Sequence, residues 1–404
     1  MKKIVIIDQP LNNHGDESAH KAFIRLLTEH GFKVSTIFFG SDPKAVKAFS
    51  RGIKHSEYYF YKKNKINLLI QNFFIHYPFL FNYAHLIPNF NKFCRHLNNS
   101  DVVVMAPGGA NIGVYKSWTS LSDLYLALAN NKKVAIWGRS VGPFLTETKS
   151  DKLFFKKSCE ILNCVGYISL RDKESQQILS SLGINYVETI DTAFAYVPDI
   201  NLPADLLNLK QKKYVVFVPH DLCSWHPLFK EIDPLILDKL YLDTIKKILS
   251  KGYLVVMLPQ LFERGDKGDY HYFKHLQKKT NSPHINIISE KYNSDIQQII
   301  IRNAEAVIGA RYHSIIFSIN NCTPFICLSY EHKMKGTLDS LGLEKYSLDL
   351  KQIVQSNDNK LLFHLLDNII KEKKEIQSDL QKKRDSAQKK VFNAFNKFLK
   401  YIEE

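Results

Sequence analysis

Short apolar runs rich in valine and isoleucine recur along the chain, with helix-like stretches between several of them. In the first half these runs occupy residues 3–7, 34–39, 102–106, 134–137 and 166–170. A second series follows at 214–218, 253–258, 285–288, 306–309 and 325–328. Continuous apolar runs of this length are typical of parallel strands that are buried on both faces of a sheet. The alternation of strands and helices therefore predicts an α/β protein.

The segment 198–206 (PDINLPADL) separates the two series, so we predict a domain boundary near residue 200. A chain of 404 residues also suits two domains better than one hydrophobic core. We predict two Rossmann-like, doubly wound domains, 1–200 and 201–350, that face a cleft. Ligands of such folds bind just beyond the carboxyl ends of the strands, so the loops there are the candidate binding segments.

Residues 351–404 are predicted to form a C-terminal helical tail. From Ile376 to Ile402, apolar residues recur largely at steps of three or four, as in an amphipathic helix. The lysines of this tail fit a solvated helix face better than a nucleic-acid contact. The net charge of +15 leaves nucleic acid, an anionic membrane surface and a phosphorylated substrate as candidate partners.

Residues 51–100 are predicted to be an insertion in the first domain. They contain twelve aromatic residues and seven Lys or Arg but a single acid, Glu57. Two interpretations remain open: contact with an anionic membrane interface, or an aromatic-rich helical insertion packed on the domain. Polar residues interrupt the apolar stretch 66–87, so a bilayer-spanning helix is not predicted.

The amino terminus and the cysteines indicate the compartment. MKKIVIIDQP has too few apolar residues for a signal-peptide core and is predicted to be the first strand. The six cysteines show neither C-x-x-C pairs nor clustered histidines. We therefore expect a cytoplasmic protein without a metal site, located at the inner face of the membrane if the predicted insertion contacts lipid.

The segment G-A-R-Y-H-S at 309–314 places Arg311 and His313 between a predicted strand and a predicted helix. The free N–H groups and positive dipole end of a helix N-terminus favour an anion at this position. Arginine supplies a planar fork for carboxylate or phosphate, and histidine supplies a proton donor or acceptor near neutral pH. The motif predicts anion binding with proton transfer. The alternative is an arginine paired with an acid across the domain and a histidine satisfied in the core.

The first strand leads into N-H-G-D-E-S at 13–18, ahead of a helix predicted from Ser18 to His30. Asn13 and Asp16 are candidate sugar ligands, and Asp16 is also a candidate base because carboxylates accept hydroxyl protons. Asp16 is explained equally well as a helix N-cap.

Other predicted strand ends carry further candidate binding residues. Gly108 and Gly109 permit close approach of a ligand, and Arg171 is either a second anion ligand or the partner of Asp172 or Glu174. His220 and Gln260 follow strands of the second domain, where a nearby tryptophan is typical of a sugar site or of simple packing. The glycine loops match neither a dinucleotide-binding nor a P-loop motif.

Taken in order along residues 1–350, these motifs resemble those of the polysaccharide pyruvyl transferase family. The matching segments are N-H-G-D-E-S, P-G-G at 107–109, G-x-x-x-G-P at 138–143, S-L-R-D-x-x-S at 169–175, D-T-A-F-A-Y at 191–196 and G-A-R-Y-H-S, continued by T-P-F-I-C-L-S-Y-E-H-K at 323–333. The resemblance implies two facing Rossmann-like domains of the GT-B type. It also implies transfer of the enolpyruvyl group of phosphoenolpyruvate onto a sugar as a pyruvate ketal, with release of phosphate and no cofactor.

The resemblance also implies roles for individual residues. Arg171 and Arg311 are expected to hold the carboxylate and phosphate of phosphoenolpyruvate, with Lys333 as a third cation and His313 as the proton-transfer residue. We interpret His313 as the general acid and Asp16 as the candidate base. The first domain is then the acceptor side and the second the phosphoenolpyruvate side. The acceptor is expected to be a sugar of a capsule, of another exopolysaccharide or of a lipid-linked repeat unit.

Two departures from the family pattern leave the acceptor open: Ala110 stands where many members carry a third glycine, and the predicted insertion contains no family motif. A GT-B glycosyltransferase with a nucleotide-sugar donor is the alternative function, although its E-x-x-x-x-x-x-x-E pattern is not evident near 309–340. A basic nucleic-acid-binding protein predicts affinity that falls steeply with salt, and we do not expect nucleic acid as a partner.

Overall fold

The computed structural model describes residues 1–9, 13–39, 56–61, 65–262 and 268–404. The chain folds into two compact units. The first consists of Met1–Leu11, Asp16–Ala195 and Gln388–Glu404, and the second of Asn12–Gly15 and Tyr196–Ala387. Each unit therefore combines segments that are distant in the sequence.

The first unit is built around a parallel sheet of seven strands. They are β1 (Lys3–Ile7), β2 (Lys33–Phe39), β3 (Ser56–Tyr61), β4 (Val102–Met105), β5 (Lys133–Arg139), β6 (Tyr167–Leu170) and β7 (Val187–Glu188). Their order in the sheet is β3-β2-β1-β4-β5-β6-β7, and all the paired strands are parallel. The order reverses between β1 and β4, which is the topological switch point where such folds bind ligands.

Six helices accompany this sheet within the described residues. They are α1 (His14–Glu29), α2 (Lys65–His76), α3 (Pro88–Asn98), α4 (Trp118–Ala129), α5 (Lys149–Cys164) and α6 (Lys173–Ser181), with 3₁₀ turns at Pro78–Leu86 and Thr192–Ala195. The predicted start of the first helix at Ser18 is wrong. Asn13 accepts a hydrogen bond from the backbone N–H of Gly15 at 2.7 Å, which satisfies a free donor of the first turn and lets α1 begin at His14.

The predicted insertion 51–100 contains β3, α2, the first 3₁₀ turn and α3, while 51–55 and 62–64 lie outside the described residues. Phe74, Phe81, Phe90 and Phe93 are buried in the hydrophobic core of the first unit. Aromatic packing on the domain is therefore present. Other large side chains of the same segment are exposed, namely Leu69, Phe73, Tyr77, Phe79, Tyr83 and Leu86.

The second unit contains a parallel sheet of six strands. They are β8 (Tyr214–Val218), β9 (Leu254–Met257), β10 (Ile285–Ile287), β11 (Ala306–Gly309), β12 (Phe325–Ser329) and β13 (Ser347–Asp349). The sheet order is β10-β9-β8-β11-β12-β13, with parallel pairing throughout. This is the Rossmann strand order, with its switch point between β8 and β11. The two sheets confirm the predicted α/β class.

The helices that follow are α7 (Pro234–Ser250), α8 (Asp269–Thr280), α9 (Ser294–Arg302), α10 (Tyr312–Asn320), α11 (His332–Leu341), α12 (Leu350–Ser356), α13 (Lys360–Lys371) and α14 (Lys373–Glu403). Short 3₁₀ turns occupy Ala204–Gln211, Pro227–Phe229 and Glu344–Tyr346. In the described part of the chain, none of the helices is long and apolar enough to cross a membrane.

The long helix α14 is amphipathic, as predicted, and its last residues belong to the first unit. Phe398 is fully buried there, with its ring 5.6 Å from that of Trp137 and 5.3 Å from that of Tyr167. Tyr167 donates its hydroxyl hydrogen to the carbonyl of Ala394 at 2.7 Å, and Tyr401 donates to the carbonyl of Val134 at 3.1 Å. The carboxyl-terminal end of the chain thus completes the core of the first unit.

Candidate active site

The segment G-A-R-Y-H-S lies at the switch point of the second unit, where β11 ends and α10 begins. Arg311 is the N-cap residue of α10, in extended conformation with φ −106° and ψ 131°, and Ser314 donates a 2.6 Å hydrogen bond to its carbonyl. A β-carbon on Gly309 would overlap the hydroxyl of Ser314. The local sequence therefore forms the predicted strand, turn and helix, and the glycine at 309 leaves room for the Ser314 hydroxyl.

The guanidinium of Arg311 is held at one side by Asp269, the first residue of α8, in an ion pair. The other oxygen of Asp269 accepts hydrogen bonds from the backbone N–H groups of Gln260 and Leu261, each at 2.9 Å. The Nε of Arg311 is buried and has no hydrogen-bond partner within the described ranges. Pairing with an acid across the domain thus occupies only part of the arginine, and one donor remains for a ligand.

The imidazole of His313 is buried in the first turn of α10 and lies against the backbone of Gly15. A β-carbon on Gly15 would overlap the ring of His313. Residues 13–15 are held in the second unit by an antiparallel bridge between Asn13 and Leu261 and by a 2.9 Å hydrogen bond from the N–H of His14 to the carbonyl of Gln260. Asn13 and His313 are therefore parts of one unit.

Asp16 lies in the first turn of α1 and belongs to the first unit. It is partly exposed, and its carbonyl accepts a hydrogen bond from Gln9 at 3.4 Å. Asn13, rather than Asp16, caps the helix. The carboxylate of Asp16 is therefore not required as the cap.

His220 follows β8 and is 2% exposed. Its Nε2 lies 3.2 Å from the indole Nε1 of Trp225, and because an indole N–H only donates, His220 Nε2 must accept. Burial, together with the nearby Arg311, Lys333 and His226, holds the pKa of His220 well below its ordinary value. The ring is therefore neutral, with its proton on Nδ1, and this buried donor has no partner among the residues that the structure describes.

Gln260 and Lys333 complete the set of predicted residues in the second unit. Gln260 is 2% exposed, and its Nε2 is a further buried donor that meets no acceptor in the described residues. Lys333 lies in the first turn of α11, about one third exposed, and pairs with Glu331 at 2.6 Å. Buried donors without partners are costly. Three of them, on Arg311, His220 and Gln260, indicate a site for a ligand rich in acceptor oxygens.

Arg311 and His220 both line an open cavity of about 830 Å³ in the second unit. Its other walls come from the loop after β8, including Trp225, and from α7 and α8. In the described residues, no group of three or more His, Cys, Asp or Glu side chains is arranged to hold a metal ion.

The first unit holds a second polar cluster at its own switch point, which was not predicted from the sequence. Asp8 follows β1 with φ +60° and accepts hydrogen bonds from Arg139 at 2.8 Å, Ser120 at 2.8 Å and Asn111 at 3.0 Å. Arg139 is 1% exposed and also donates to the carbonyl of Ala106 at 2.6 Å. The sequence did contain an indication of this cluster, because Asp8 and Arg139 are charged residues at the ends of two apolar runs.

Arg171 is buried in the first unit and donates from Nη1 to Asp191 at 2.8 Å and from Nε to Ser140 at 3.1 Å. The alternative pairing with Asp172 or Glu174 is therefore wrong as stated. Asp172 instead caps α6 through the N–H of Ser175. The partner that the chain uses is Asp191, from the D-T-A-F-A-Y segment.

Gly108 and Gly109 follow β4 in the same unit. Gly108 forms an isolated parallel bridge with Arg139, and its carbonyl accepts a 3.2 Å hydrogen bond from the N–H of Ser140. A β-carbon on Gly109 would make only an ordinary contact, 3.8 Å from the ring of Tyr115. Gly108 therefore lies next to the cluster around Asp8.

The sequence model of the polysaccharide pyruvyl transferase family matches residues 13–332. The chain belongs to the polysaccharide pyruvyl transferase family. The predicted family is thereby confirmed, and the protein is a transferase. The matched range contains every predicted site residue except Lys333, which follows its end directly.

The chain also resembles a named biosynthesis protein at low identity. The chain is 24% identical over 297 residues to the amylovoran biosynthesis protein AmsJ of Erwinia amylovora, covering 69% of this chain and 68% of AmsJ. The general function is therefore that of a pyruvyl transferase in polysaccharide biosynthesis.

Solved structures share the fold of this transferase at low identity. A UDP-GlcNAc 2-epimerase from Neisseria meningitidis, bound to UDP-GlcNAc, superposes with a TM-score of 0.61 at 11% identity, covering 99% of this chain and 100% of the epimerase. The UDP complex of TcCGT1 gives a TM-score of 0.60 at 11% identity, covering 100% and 99% of the two chains. At this identity the likeness shows the GT-B-type fold alone.

Proposed function

We propose that this transferase moves the enolpyruvyl group of phosphoenolpyruvate onto a sugar of a polysaccharide or of a lipid-linked repeat unit, forming a pyruvate ketal and releasing phosphate. The observation that supports this donor most strongly is the pair of buried donors on Arg311 and Gln260 in the second unit, for which the described residues provide no acceptor. Ionised carboxylate and phosphate groups accept hydrogen bonds and do not donate them. Phosphoenolpyruvate therefore complements unpaired buried donors.

Arg311 is proposed to bind one anionic group of the donor. Asp269 fixes its guanidinium from one side, which leaves Nε as a preoriented donor, and the N-terminus of α10 adds favourable potential for negative charge. Lys333 on α11 is proposed as a further cation. The side chains of this ion pair are 36% exposed at Lys333 and 19% exposed at Glu331, so water still screens the pair and a ligand anion can compete with Glu331.

His313 is proposed as the general acid. Protonation of the methylene carbon of phosphoenolpyruvate gives an oxocarbenium-like centre at the central carbon, which a sugar hydroxyl attacks as it loses its proton to a base. The bond from this carbon to the phosphate oxygen then breaks, a second hydroxyl adds to close the ketal, and its proton leaves with phosphate. We assign Asp16 as the candidate base, and Arg171 as a candidate anion ligand of the first unit.

Membrane contact is proposed for the exposed apolar side chains between Leu69 and Leu86. No acidic residue occurs between Glu57 and Asp101, and Phe73 and Phe79 are 54% and 63% exposed. Exposed aromatic residues in a segment without acidic residues suit an anionic lipid interface, and such contact would bring the enzyme to a lipid-linked acceptor.

Liposome flotation tests this contact. The wild type is expected to float with vesicles that contain anionic lipid, and a double variant, Phe73→Ser with Phe79→Ser, is expected to remain in the dense fraction. Phe392→Ser, at an exposed position of α14, serves as the control. Failure of the wild type to associate with anionic vesicles would remove the membrane from the proposal.

Thermal unfolding tests the donor. Phosphoenolpyruvate that binds only the folded state must raise the unfolding midpoint in a concentration-dependent manner. We expect this rise in the wild type and in Arg384→Ala, a control on α14, and its loss in Arg311→Ala. Arg311→Lys keeps a cation beside Asp269 but lacks the planar set of guanidinium N–H donors. This variant therefore separates the effect of those donors from the effect of the charge.

The same experiment decides between donors. An unfolding midpoint that rises with a nucleotide sugar but not with phosphoenolpyruvate would contradict the proposal. It would favour the GT-B glycosyltransferase alternative. If phosphoenolpyruvate still raises the unfolding midpoint of Arg311→Ala, the proposed donor is retained but Arg311 is not part of its binding site.

A further inference from the structure

The cavity of the second unit is larger than the proposed donor requires. Cavities of roughly 300–1,000 Å³ typically enclose drug-sized ligands, and this one measures about 830 Å³. Phosphoenolpyruvate is a three-carbon acid, so a donor bound at Arg311 leaves most of the cavity for a second ligand.

Trp225 offers an aromatic surface in this remaining space. It lines the cavity and is 44% exposed, although its indole N–H already donates to His220. The part that remains available is therefore the apolar ring. An aromatic ring with its polar atom engaged offers a flat surface for the C–H face of a sugar ring.

Polar groups for hydroxyls lie next to Trp225. His220 lines the same cavity and carries the buried Nδ1 donor for which the described residues provide no acceptor. Asp221, the next residue along the loop, adds a carboxylate to the lining. A sugar hydroxyl can both donate and accept a hydrogen bond. One fixed donor and one acceptor beside an aromatic ring therefore suit neighbouring sugar hydroxyls.

We propose that this cavity is the acceptor subsite: a pyranose ring stacks on Trp225, His220 donates to one of its hydroxyl oxygens, and Asp221 accepts from a neighbouring hydroxyl. The assignment to the acceptor rests on the proposed function. It places the acceptor sugar in the second unit, beside the donor site at Arg311, whereas the family resemblance assigned the acceptor to the first domain.

The charges of the lining favour a neutral sugar over a nucleotide diphosphate. Of the two permanent cations among the lining residues, Arg311 pairs with Asp269 and Lys279 pairs with Asp238 at 2.7 Å. Asp238 also accepts hydrogen bonds from Tyr272 and His275. Beyond the Arg311 end, the described lining therefore offers carboxylates and already paired cations, which suit hydroxyl groups better than a diphosphate.

Saturation-transfer difference NMR on the full-length protein tests the subsite with simple probes: methyl β-D-galactopyranoside, methyl α-D-glucopyranoside and methyl β-D-mannopyranoside. We expect saturation of the ring C–H protons of at least one probe in the wild type. The signal should fall about tenfold in Trp225→Ala, which removes the stacking surface, and stay unchanged in Trp118→Ala, a control in the first unit.

His220 variants test the proposed donor. His220→Asn places an amide N–H near the position of Nδ1 and should keep the probe signal, whereas His220→Leu removes the donor and should lose it. Absence of any probe signal in the wild type, or an unchanged signal in Trp225→Ala, would overturn the proposal. Thermal stabilisation by UDP that is lost in Trp225→Ala would also overturn it, in favour of a nucleotide site.

The outcome is distinguishable from that of the proposed function. Trp225→Ala should retain the thermal stabilisation by phosphoenolpyruvate, since Arg311 is intact. If sugar binding depends on Trp225 but phosphoenolpyruvate does not stabilise the protein, the sugar subsite is supported and the proposed donor is contradicted.

Discussion

The imidazole of His313 lies directly against the backbone of Gly15, so closely that a β-carbon at Gly15 would overlap the ring. The two residues are far apart in the sequence, but an antiparallel bridge between Asn13 and Leu261 holds the N-terminal segment in the second unit. The proposed general acid is thus oriented by a residue of the N-H-G-D-E-S motif. The need for glycine at this position is steric.

Gly15→Ala is expected to displace either the start of α1 or the ring of His313. Forcing extra atoms into a packed site typically lowers the free energy of unfolding by about 1–3 kcal/mol, and pyruvyl transfer should fall with it. Urea unfolding and a phosphate-release assay measure the two effects. Gly336→Ala is the matched control: its β-carbon meets open space in α11, so a gain of about 0.5–1 kcal/mol is expected. Equal behaviour of the two variants would contradict the close contact.

Asp269→Asn is expected to weaken the binding of phosphoenolpyruvate by misplacing Arg311. The amide retains one oxygen for the two backbone N–H groups that Asp269 binds, but it presents an NH₂ group to the guanidinium. We expect the dissociation constant to rise about tenfold, equivalent to about 1.4 kcal/mol, as measured by calorimetric titration.

Asp238→Asn is the matched control for this prediction. Asp238 lines the same cavity and accepts hydrogen bonds from Tyr272, His275 and Lys279, so its substitution lowers stability as well. It does not contact Arg311, and phosphoenolpyruvate should bind it normally. A comparable loss of binding in both variants would show that Asp269 acts through general stability rather than by positioning Arg311.

The stability of the protein should decrease as the pH falls below 6.5. Burial, only partly opposed by Glu17, lowers the pKa of His20 from 6.5 to about 3. Below 6.5 the unfolded chain takes up a proton that the folded protein does not bind, so the free energy of unfolding falls with decreasing pH. Between pH 7 and pH 5 the contribution of His20 alone amounts to about 2 kcal/mol.

Urea unfolding at pH 5, 6 and 7 checks this dependence. His20→Gln should remove the contribution of His20 and make the free energy of unfolding less dependent on pH. The same substitution at the exposed His364 on α13 controls for the loss of an imidazole. An unchanged slope in His20→Gln would mean that His20 is protonated in the folded state.

Phe398→Ala is expected to lower the free energy of unfolding by about 3–5 kcal/mol, because large-to-small changes in a core leave a cavity. Phe398 packs against the rings of Phe23, Trp137 and Tyr167. Phe392 is on the same helix but 42% exposed, and Phe392→Ala should change stability by no more than about 0.5 kcal/mol. Similar urea midpoints for the two variants would show that the end of α14 does not contribute to the core of the first unit.

The sequence by itself determined the features that depend on local pattern. Apolar runs indicated the strands, steps of three and four residues indicated the amphipathic helix α14, and G-A-R-Y-H-S specified a strand, a turn and a helix. These predictions held because strand burial, helix periodicity and turn chemistry are properties of neighbouring residues. The motifs and their order along the chain likewise indicated the family.

The tertiary structure alone decided which charged and polar groups are already engaged. Arg311 is bound by Asp269 from α8, Arg171 by Asp191 rather than by an adjacent acid, and Gly15 packs on His313. The start of α1 moved to His14 because Asn13 caps it. These contacts join residues from different loops, and they arise when parallel strands bring their carboxyl ends to one edge of a sheet. Spacing along the chain does not encode which of those loops meet, so it showed the candidate residues but not their partners.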